Sequence, residues 1–438
     1  MGGCLITYIL KREERVKMNE LFELLSEGVT ASHTIAKVKA CLLKNGFEEL
    51  MLGEEWQLAH HKKYYVNLYG TNIVAFSIGG ASKETSSFRI AMAHSDYPNF
   101  QLKPNAVMHT NGIVRLNVEI YGGMYQKSWI DRPLGIAGSV VVKGKDAFHP
   151  RTLLYKSDRP LCLIPSLAIH MDRELNKKGA LDVAKELVPI AALSADANLF
   201  GEIAKALSIQ EEEILDYDLY LYNTDMPEVV GLDESMVASP RLDNLTSVAA
   251  ILANITKTEV PDGAVDVMAI FDNEEVGSLS SQGADSELLP MILEKIGRAL
   301  EGSDFSLTNV LQSSFLLSVD VAHGQHPNYE EKSDATNKAK LGSGFCLKRS
   351  VGQKYGTTAQ SAAVVKQLCQ ANQIPYTIAV NKTGIPGGST LGPIMTSHLP
   401  MPCADIGMPI LAMHSTCELG ALKDYDALKD VIRLFFAY

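Results

Sequence analysis

The chain has 438 residues, a formal net charge of −11 and a pI near 5.5, with 46% hydrophobic and 21% charged residues. That length predicts two or three domains with real cores, and the ordinary apolar fraction excludes extended disorder. The acidic balance, with no basic cluster, excludes a nucleic-acid partner and an anionic membrane surface.

Residues 1–17 read as an N-terminal appendage. The apolar patch over 5–10 is too short to cross a bilayer, and no basic run precedes it as in a secretory leader. Ile6 stands where a myristoylation signal requires Ser or Thr. Two helices are predicted over 18–47, from Leu21, Leu24 and Leu25 and then Ile35, Val38 and Leu42 at three-to-four spacing. The break lies at 30–33, with Ser32 as the expected cap of the second helix. Strands are predicted over 63–68, 72–78 and 88–93. The last is a nearly continuous apolar run, broken only by Arg89, as expected of a strand buried on both faces.

From about 101 the texture changes. Strands over 113–121, 138–143 and 217–222 flank a charged stretch, 172–215, that reads as helical. This predicts an α+β unit inserted between two halves of the first domain. After 234, helices over 247–256, 286–300 and 359–371 alternate with strands over 264–271, 315–319 and 376–380, and a strand over 410–413 completes the series. Such alternation predicts an α/β fold with a mostly parallel sheet sandwiched by helices. The expected organisation is an appendage over 1–17, a catalytic domain built from 18–100 and 234–438, and an inserted domain over 101–233. The seven cysteines are scattered, with none spaced as Cys-x-x-Cys, which fits reduced thiols and a cytoplasmic location.

Open α/β sheets hold ligands beyond the carboxyl ends of their strands. The predicted strands are followed there by His94-Ser-Asp96, Asp272-Asn-Glu274-Glu275, Asp320 and His414, while Asp243 precedes a helix. Imidazole and carboxylate donors of this kind suit zinc, cobalt or manganese. Five side chains can hold two ions if one carboxylate bridges them, and a hydroxide shared by two metals can attack a peptide carbonyl. Asp96, two residues after His94, is placed to orient that imidazole. Of the neighbours Glu274 and Glu275, one can bind metal while the other handles the proton of the water. The segment 384–392 lacks the ending of a phosphate loop and is expected to turn backbone N–H groups, including that of Gly388, toward a substrate. No Gly-x-Ser-x-Gly elbow is present, and adjacent carboxylates do not suit a glycosidase. Two other classes stay open on the residues alone: another metal-dependent amidohydrolase, such as a carboxypeptidase or deacylase, and a non-catalytic assembly protein.

The motifs His94-Ser-Asp96, Arg241-Leu-Asp243-Asn-Leu, Asp272-Asn-Glu-Glu-Val-Gly-Ser278, Ser318-Val-Asp320 and Ala412-Met-His414-Ser resemble those of the aspartyl aminopeptidase family, peptidase family M18. The likeness extends from about residue 20 to the C-terminus. It implies a fold of the di-zinc exopeptidase type whose inserted domain makes subunit contacts in a dodecamer. It further implies that His94, Asp243, Glu275, Asp320 and His414 bind two divalent ions, most often zinc, with Asp243 bridging. Glu274 would be the general base, Asp96 would orient His94, and His170 would reach a neighbouring subunit's active site. The family's preference for amino-terminal Asp or Glu would rest on Lys348, ahead of Tyr355. This chain departs from the family pattern at Tyr97, at Cys417 and over Lys382-Thr-Gly384. No departure touches a ligand position, so these changes bear on the preferred residue and not on the hydrolytic machinery.

Overall fold

The run Ala264–Phe271 has one charged residue, Asp266, so both of its faces need apolar cover. The computed structural model, which describes residues 20–82, 87–177 and 179–438, sets this strand inside a nine-stranded sheet. The order across the sheet is Glu48–Glu49, Lys63–Leu68, Asn72–Ile78, Ala264–Phe271, Ser87–His94, Phe315–Val319, Cys403–Gly407, Phe345–Lys348 and Tyr376–Ala379. The four strands from Ala264–Phe271 to Cys403–Gly407 are mutually parallel. Antiparallel pairings flank them, through Asn72–Ile78 on one side and Phe345–Lys348 on the other. The sheet is therefore mixed, with a parallel centre.

Strand periodicity divides the central side chains between two cores. Ala91, Ala93, Met268, Ile270, Leu317 and Val319 pack with the helices Ala31–Lys44, Leu242–Ile255, Ala359–Asn372 and Leu422–Phe436. Ile90, Met92, Val267, Ala269 and Leu316 pack on the opposite face with Leu288–Glu301 and Leu391–His398. Parallel pairing aligns Phe271 with His94 and Ser318 with Met92, so the carboxyl ends of three strands lie at one edge.

The segment read as an α+β unit is mainly β. Strands from Asn99–Thr110 to Ile214–Asn223 form a seven-stranded sheet, and the antiparallel pair Pro133–Val142 with Ile214–Asn223 closes it into a barrel. The stretch 172–215, expected to be helical, breaks into short pieces: the helical turns Leu175–Lys177 and Val183–Glu186, the strand Ile190–Ala192 and the helix Leu199–Leu207. Pro189 lacks the N–H a helix needs, Gly179 disfavours one, and Asn198 starts a new helix by accepting from the Gly201 N–H.

A third, five-stranded sheet contains Glu228–Val230, Met236–Ser239, Glu418–Ala421, Pro409–Leu411 and Ala322–His323. The strand expected over 410–413 thus belongs to this small sheet and not to the main one. The main-sheet strand Cys403–Gly407 went unpredicted, because a five-residue buried run that follows Pro402 and ends on Gly407 has no distinctive period. The second helix begins at Ala31 and is capped by Thr30, whose oxygen accepts from the His33 N–H. Ser32, the expected cap, sits inside the first turn. The expected appendage, 1–17, lies outside the described residues. Among the described residues, no helix is long and apolar enough to cross a membrane.

Candidate metal centre

His94 ends a main-sheet strand, and its neighbours arrive from different elements. Asp320 follows Phe315–Val319. Glu274 and Glu275 occupy a tight turn after Ala264–Phe271 that begins at Asn273 in the left-handed region, φ 61°. Asp243 lies at the start of Leu242–Ile255, and His414 follows the small-sheet strand Pro409–Leu411. The residues therefore do not occupy equivalent positions on one sheet, as their order in the sequence suggests. They converge where two sheets and a helix start meet.

Asp243 faces both histidines. One of its oxygens lies 3.4 Å from His94 Nε2 and the other 3.3 Å from His414 Nε2. Asp320 Oδ1 lies 3.6 Å from His94 Nε2, and Glu275 Oε2 lies 3.4 Å from His414 Nε2. Both rings are turned by their other nitrogen. His414 Nδ1 is 2.9 Å from the Gly123 carbonyl, and His94 Nδ1 is 3.1 Å from the Asp96 carbonyl and 3.4 Å from Asp96 Oδ1. Carbonyl oxygens only accept, so each Nδ1 carries the proton and each Nε2 is turned to the carboxylates. The Asp96 backbone is thus the nearer partner of His94.

The Asp96 side chain holds the glutamate turn. It accepts from the Glu274 N–H at 3.2 Å, the Glu275 N–H at 3.1 Å and the Tyr121 hydroxyl at 2.7 Å. The barrel reaches the centre through Gly122 at φ 75°, where a Cβ would stand 3.1 Å from that of Glu275. Glycine fits both the backbone and the contact.

Two residues of the site carried no expected role. Glu418, 2% exposed, accepts from the Asp243 N–H at 3.0 Å and the His414 N–H at 2.8 Å, clamping both ends of the Asp243–His414 pair. Tyr121 is the other. The proximity of Glu418 to His414 in the chain was its only sequence signal, since a backbone acceptor leaves no spacing signature.

Charge is unbalanced at this point. Burial would lower the His94 pKa, but Asp243, Asp320 and Asp96 outweigh it and hold the ring well above its usual range. His414 rises to about 10, because Asp243 and Glu275 outweigh its burial. Burial lifts Glu274 to about 7, opposed by His94 and aided by Asp320 and Asp96. Burial and Asp243 lift Glu275 well above the carboxylate range, and burial with Asp243 lifts Glu418 to about 8. Asp243 itself stays low, its burial outweighed by His414 and His94. Asp243 Oδ1 and Glu275 Oε1 are buried with no hydrogen-bond partner. Ligand atoms of His94, Asp243 and Glu275 all lie within 4.8 Å of one another. Clustered carboxylates, two aimed imidazole nitrogens and orphaned oxygens suit divalent metal binding.

Lys348, 2% exposed, donates to Asp320 Oδ2 at 3.1 Å and to the carbonyls of Asp320 and Val321, and its ammonium lies 5.0 Å from the centre of the Tyr355 ring. Both residues line a cavity of about 330 Å³, together with His323, Lys332 and Lys382. Gly387 lines this cavity too, whereas Gly388 does not and is exposed. His170 is exposed on the barrel, and among the described residues it makes no hydrogen bond or ion pair to the centre. Of the expected site residues, His170 and Gly388 are the two that the fold of a single chain leaves apart.

Residues 24–436 match the family model described as aminopeptidase I zinc metalloprotease (M18). The chain is 39% identical to the "Probable M18 family aminopeptidase 2" of Clostridium novyi (strain NT) over 424 residues, which is 95% of this chain and 98% of that protein. It is 35% identical to "Aspartyl aminopeptidase 4" of Saccharomyces cerevisiae, over 95% of this chain and 94% of that one. Its fold is similar to a chain in the cryo-EM structure of the Ape4 and Nbr1 complex, at a TM-score of 0.91 and 30% identity, covering 97% of this chain and 86% of the other.

Proposed function

The chain belongs to the M18 zinc metalloprotease family and is an aminopeptidase, and from that premise we propose that it hydrolyses the first peptide bond of peptides with a free amino terminus, using two bound divalent cations. The observation that carries this reading is the two-sided Asp243 carboxylate, one oxygen toward each histidine. His94 and Asp320 would hold one cation, His414 and Glu275 the other, and Asp243 both. When bound, zinc or a similar ion supplies Lewis acidity and lowers the pKa of water.

The protein's own groups do the rest. The Glu274 carboxylate accepts no hydrogen bond among the described residues and is half-buried, with its pKa lifted to about 7 by desolvation. It is suited to take the proton of the attacking water and return it to the leaving nitrogen. Asp96 keeps Glu274 and Glu275 in register through their amides.

A preference for acidic amino-terminal residues fits the cavity of about 330 Å³ beside Asp320, which among the described residues is lined by Lys332, Lys348 and Lys382 against one acid, Asp334. The yeast relative named an aspartyl aminopeptidase supports the same preference. Self-association through the barrel, as a dodecamer, fits the exposed Leu167, Ile169 and Met171 that flank His170, and would deliver that histidine to a second subunit's centre. The unbonded cysteines among the described residues fit a cytoplasmic setting. We take 18–100 and 234–438 as the catalytic domain and 101–233 as the assembly domain.

The test is release of free amino acid from peptides beginning with Asp, Glu, Leu or Lys, with acetylated controls. Cleavage of free-amine peptides alone, abolished by a chelator and restored by zinc, is the expected result. Equal cleavage of acetylated peptides would move the assignment to another amidohydrolase, and no cleavage with any metal would support a non-catalytic assembly protein.

A further inference from the structure

Asp405 is fully buried, 0% exposed, within the main-sheet strand Cys403–Gly407. It is paired directly opposite Lys348 in the antiparallel ladder, so both side chains rise from the same face of the sheet. Its carboxylate takes one hydrogen bond from each of two loops. Oδ2 accepts from the Gly356 N–H and Oδ1 from the Thr390 hydroxyl, both at 2.5 Å. Its own N–H donates to the Thr357 hydroxyl at 2.7 Å. A carboxylate in a core is costly unless its oxygens are satisfied, and hydrogen bonds to an ionised acceptor are the strong ones.

The same two loops wall the cavity of about 330 Å³ beside Asp320. Tyr355, one residue before Gly356, lines it, and so do Ile385, Pro386 and Gly387 ahead of Thr390. Two bonds also join the loops to each other. The Ser389 hydroxyl and the Thr390 N–H both donate to the Lys354 carbonyl, at 3.1 and 3.3 Å.

Two independent details show how closely Asp405 is fitted. Thr390 precedes the helix Leu391–His398, where a threonine ordinarily caps the first turn, yet its side chain makes no capping bond and is turned to Asp405 instead. In the first turn of that helix, a Cβ on Gly392 would stand 2.5 Å from Asp405 Oδ2, so a side chain there would collide with the carboxylate.

We propose that Asp405 is a positioning residue for the substrate's first side chain. It fastens the Tyr355 loop and the 385–387 loop to the strand beside Lys348, and so sets the shape of the cavity. This rests on the reading that the cavity receives that side chain. Asp405 is not among the residues that line the cavity, so it acts through the two loops. A group displaced by about 1 Å can cost on the order of a hundredfold in rate, and a pocket contact separates competing side chains by about 10–200-fold.

The test measures kcat and KM of the zinc-loaded full-length protein on peptides that begin with Asp, Glu, Leu or Lys and are otherwise identical. Thr390→Val removes the hydroxyl that Asp405 holds and keeps the side chain's volume. It should narrow the ratio of kcat/KM between the best and worst first residue by about tenfold, mostly through KM, with zinc affinity unchanged. Thr390→Ser restores the donor and should return the ratio to within about twofold of wild type. Asp405→Ala should narrow the ratio further; should it fail to fold, the two Thr390 variants carry the test. Ile385→Trp, which fills the cavity from its wall, separates the two readings. An unchanged ranking of first residues in Ile385→Trp would overturn the reading of the cavity, and this proposal with it. A changed ranking there, with an unchanged ratio or an equal loss on every peptide in Thr390→Val or in folded Asp405→Ala, would overturn the role of Asp405 alone.

Discussion

Replacing Glu418 with Ala tests how the metal centre is held. Its carboxylate receives the Asp243 N–H and the His414 N–H, at 3.0 and 2.8 Å, in a site 2% exposed. Removing it orphans two buried donors, at about 1–3 kcal/mol each, or roughly 2–6 kcal/mol of folding stability before any cavity cost. One donor belongs to Asp243 and the other to His414, which faces the Asp243 carboxylate, so on the proposed ligand assignment the loss should reach the metals as well. Partners that orient ligands are worth about 10–100-fold in metal affinity. Glu418→Gln retains one carbonyl oxygen and turns an NH₂ toward the other amide, so its defect should fall between wild type and Ala. Zinc affinity is measured by competition with a chromogenic chelator, and stability by the thermal midpoint of the apo protein. If Glu418→Ala holds zinc as tightly as wild type, with an unchanged apo midpoint, Glu418 does not organise the centre.

Glu274→Gln should bind zinc normally and lose about 10²–10⁴-fold in turnover, as measured by amino acid release, because the amide cannot carry the proton. His170→Ala and Glu274→Gln should each be weak alone. If His170 acts in a second subunit, subunits mixed by dissociation and reassembly should regain measurable activity, whereas a cis role predicts no gain. Lys348→Met should lower hydrolysis of amino-terminal Asp substrates more than Leu substrates if the ammonium reads the side chain. An equal loss on both, with weaker zinc binding, would assign it to holding Asp320. Burial lifts Asp266 to about 8, with Arg89 opposing, so the folded chain keeps its proton above the unfolded pKa. That contribution is complete below about pH 4 and is lost as pH rises toward 8, a shift worth at most a few kcal/mol. Asp266→Asn should therefore gain thermal stability over wild type at about pH 8 and little at about pH 5; a gain independent of pH would refute the burial argument.

The candidate site residues were legible because chemistry constrains residue type. A His or an acid at the end of one apolar run is a weak signal, but several in one chain reinforce each other, and a nearly continuous run such as Phe88–Ala93 announces a strand buried on both faces. Three of the four central strands followed from their apolar runs, whereas Cys403–Gly407 and the covering helices Leu391–His398 and Leu422–Phe436 did not. The charged 172–215 stretch misled because charge density reads as helix, while Pro189 and the Asn198 cap divide the chain into short pieces. Barrel closure between Pro133–Val142 and Ile214–Asn223 joins strands some eighty residues apart, and no local pattern encodes such a pairing.

What the sequence alone supplied was the candidate donor set, from His94 through His414, and the sheet on which most of it stands. The tertiary structure decided that His414 arrives from a different sheet, that the two faces of Asp243 meet two histidines, and that Glu418 clamps the backbone of both. It also decided that the Lys348 ammonium meets Asp320 and two carbonyls, and that His170 lies on the outside of the barrel. The physical reason is the same throughout. Residue chemistry is a property of each position, whereas hydrogen bonds to backbone amides and the approach of separate elements exist only once distant strands have packed.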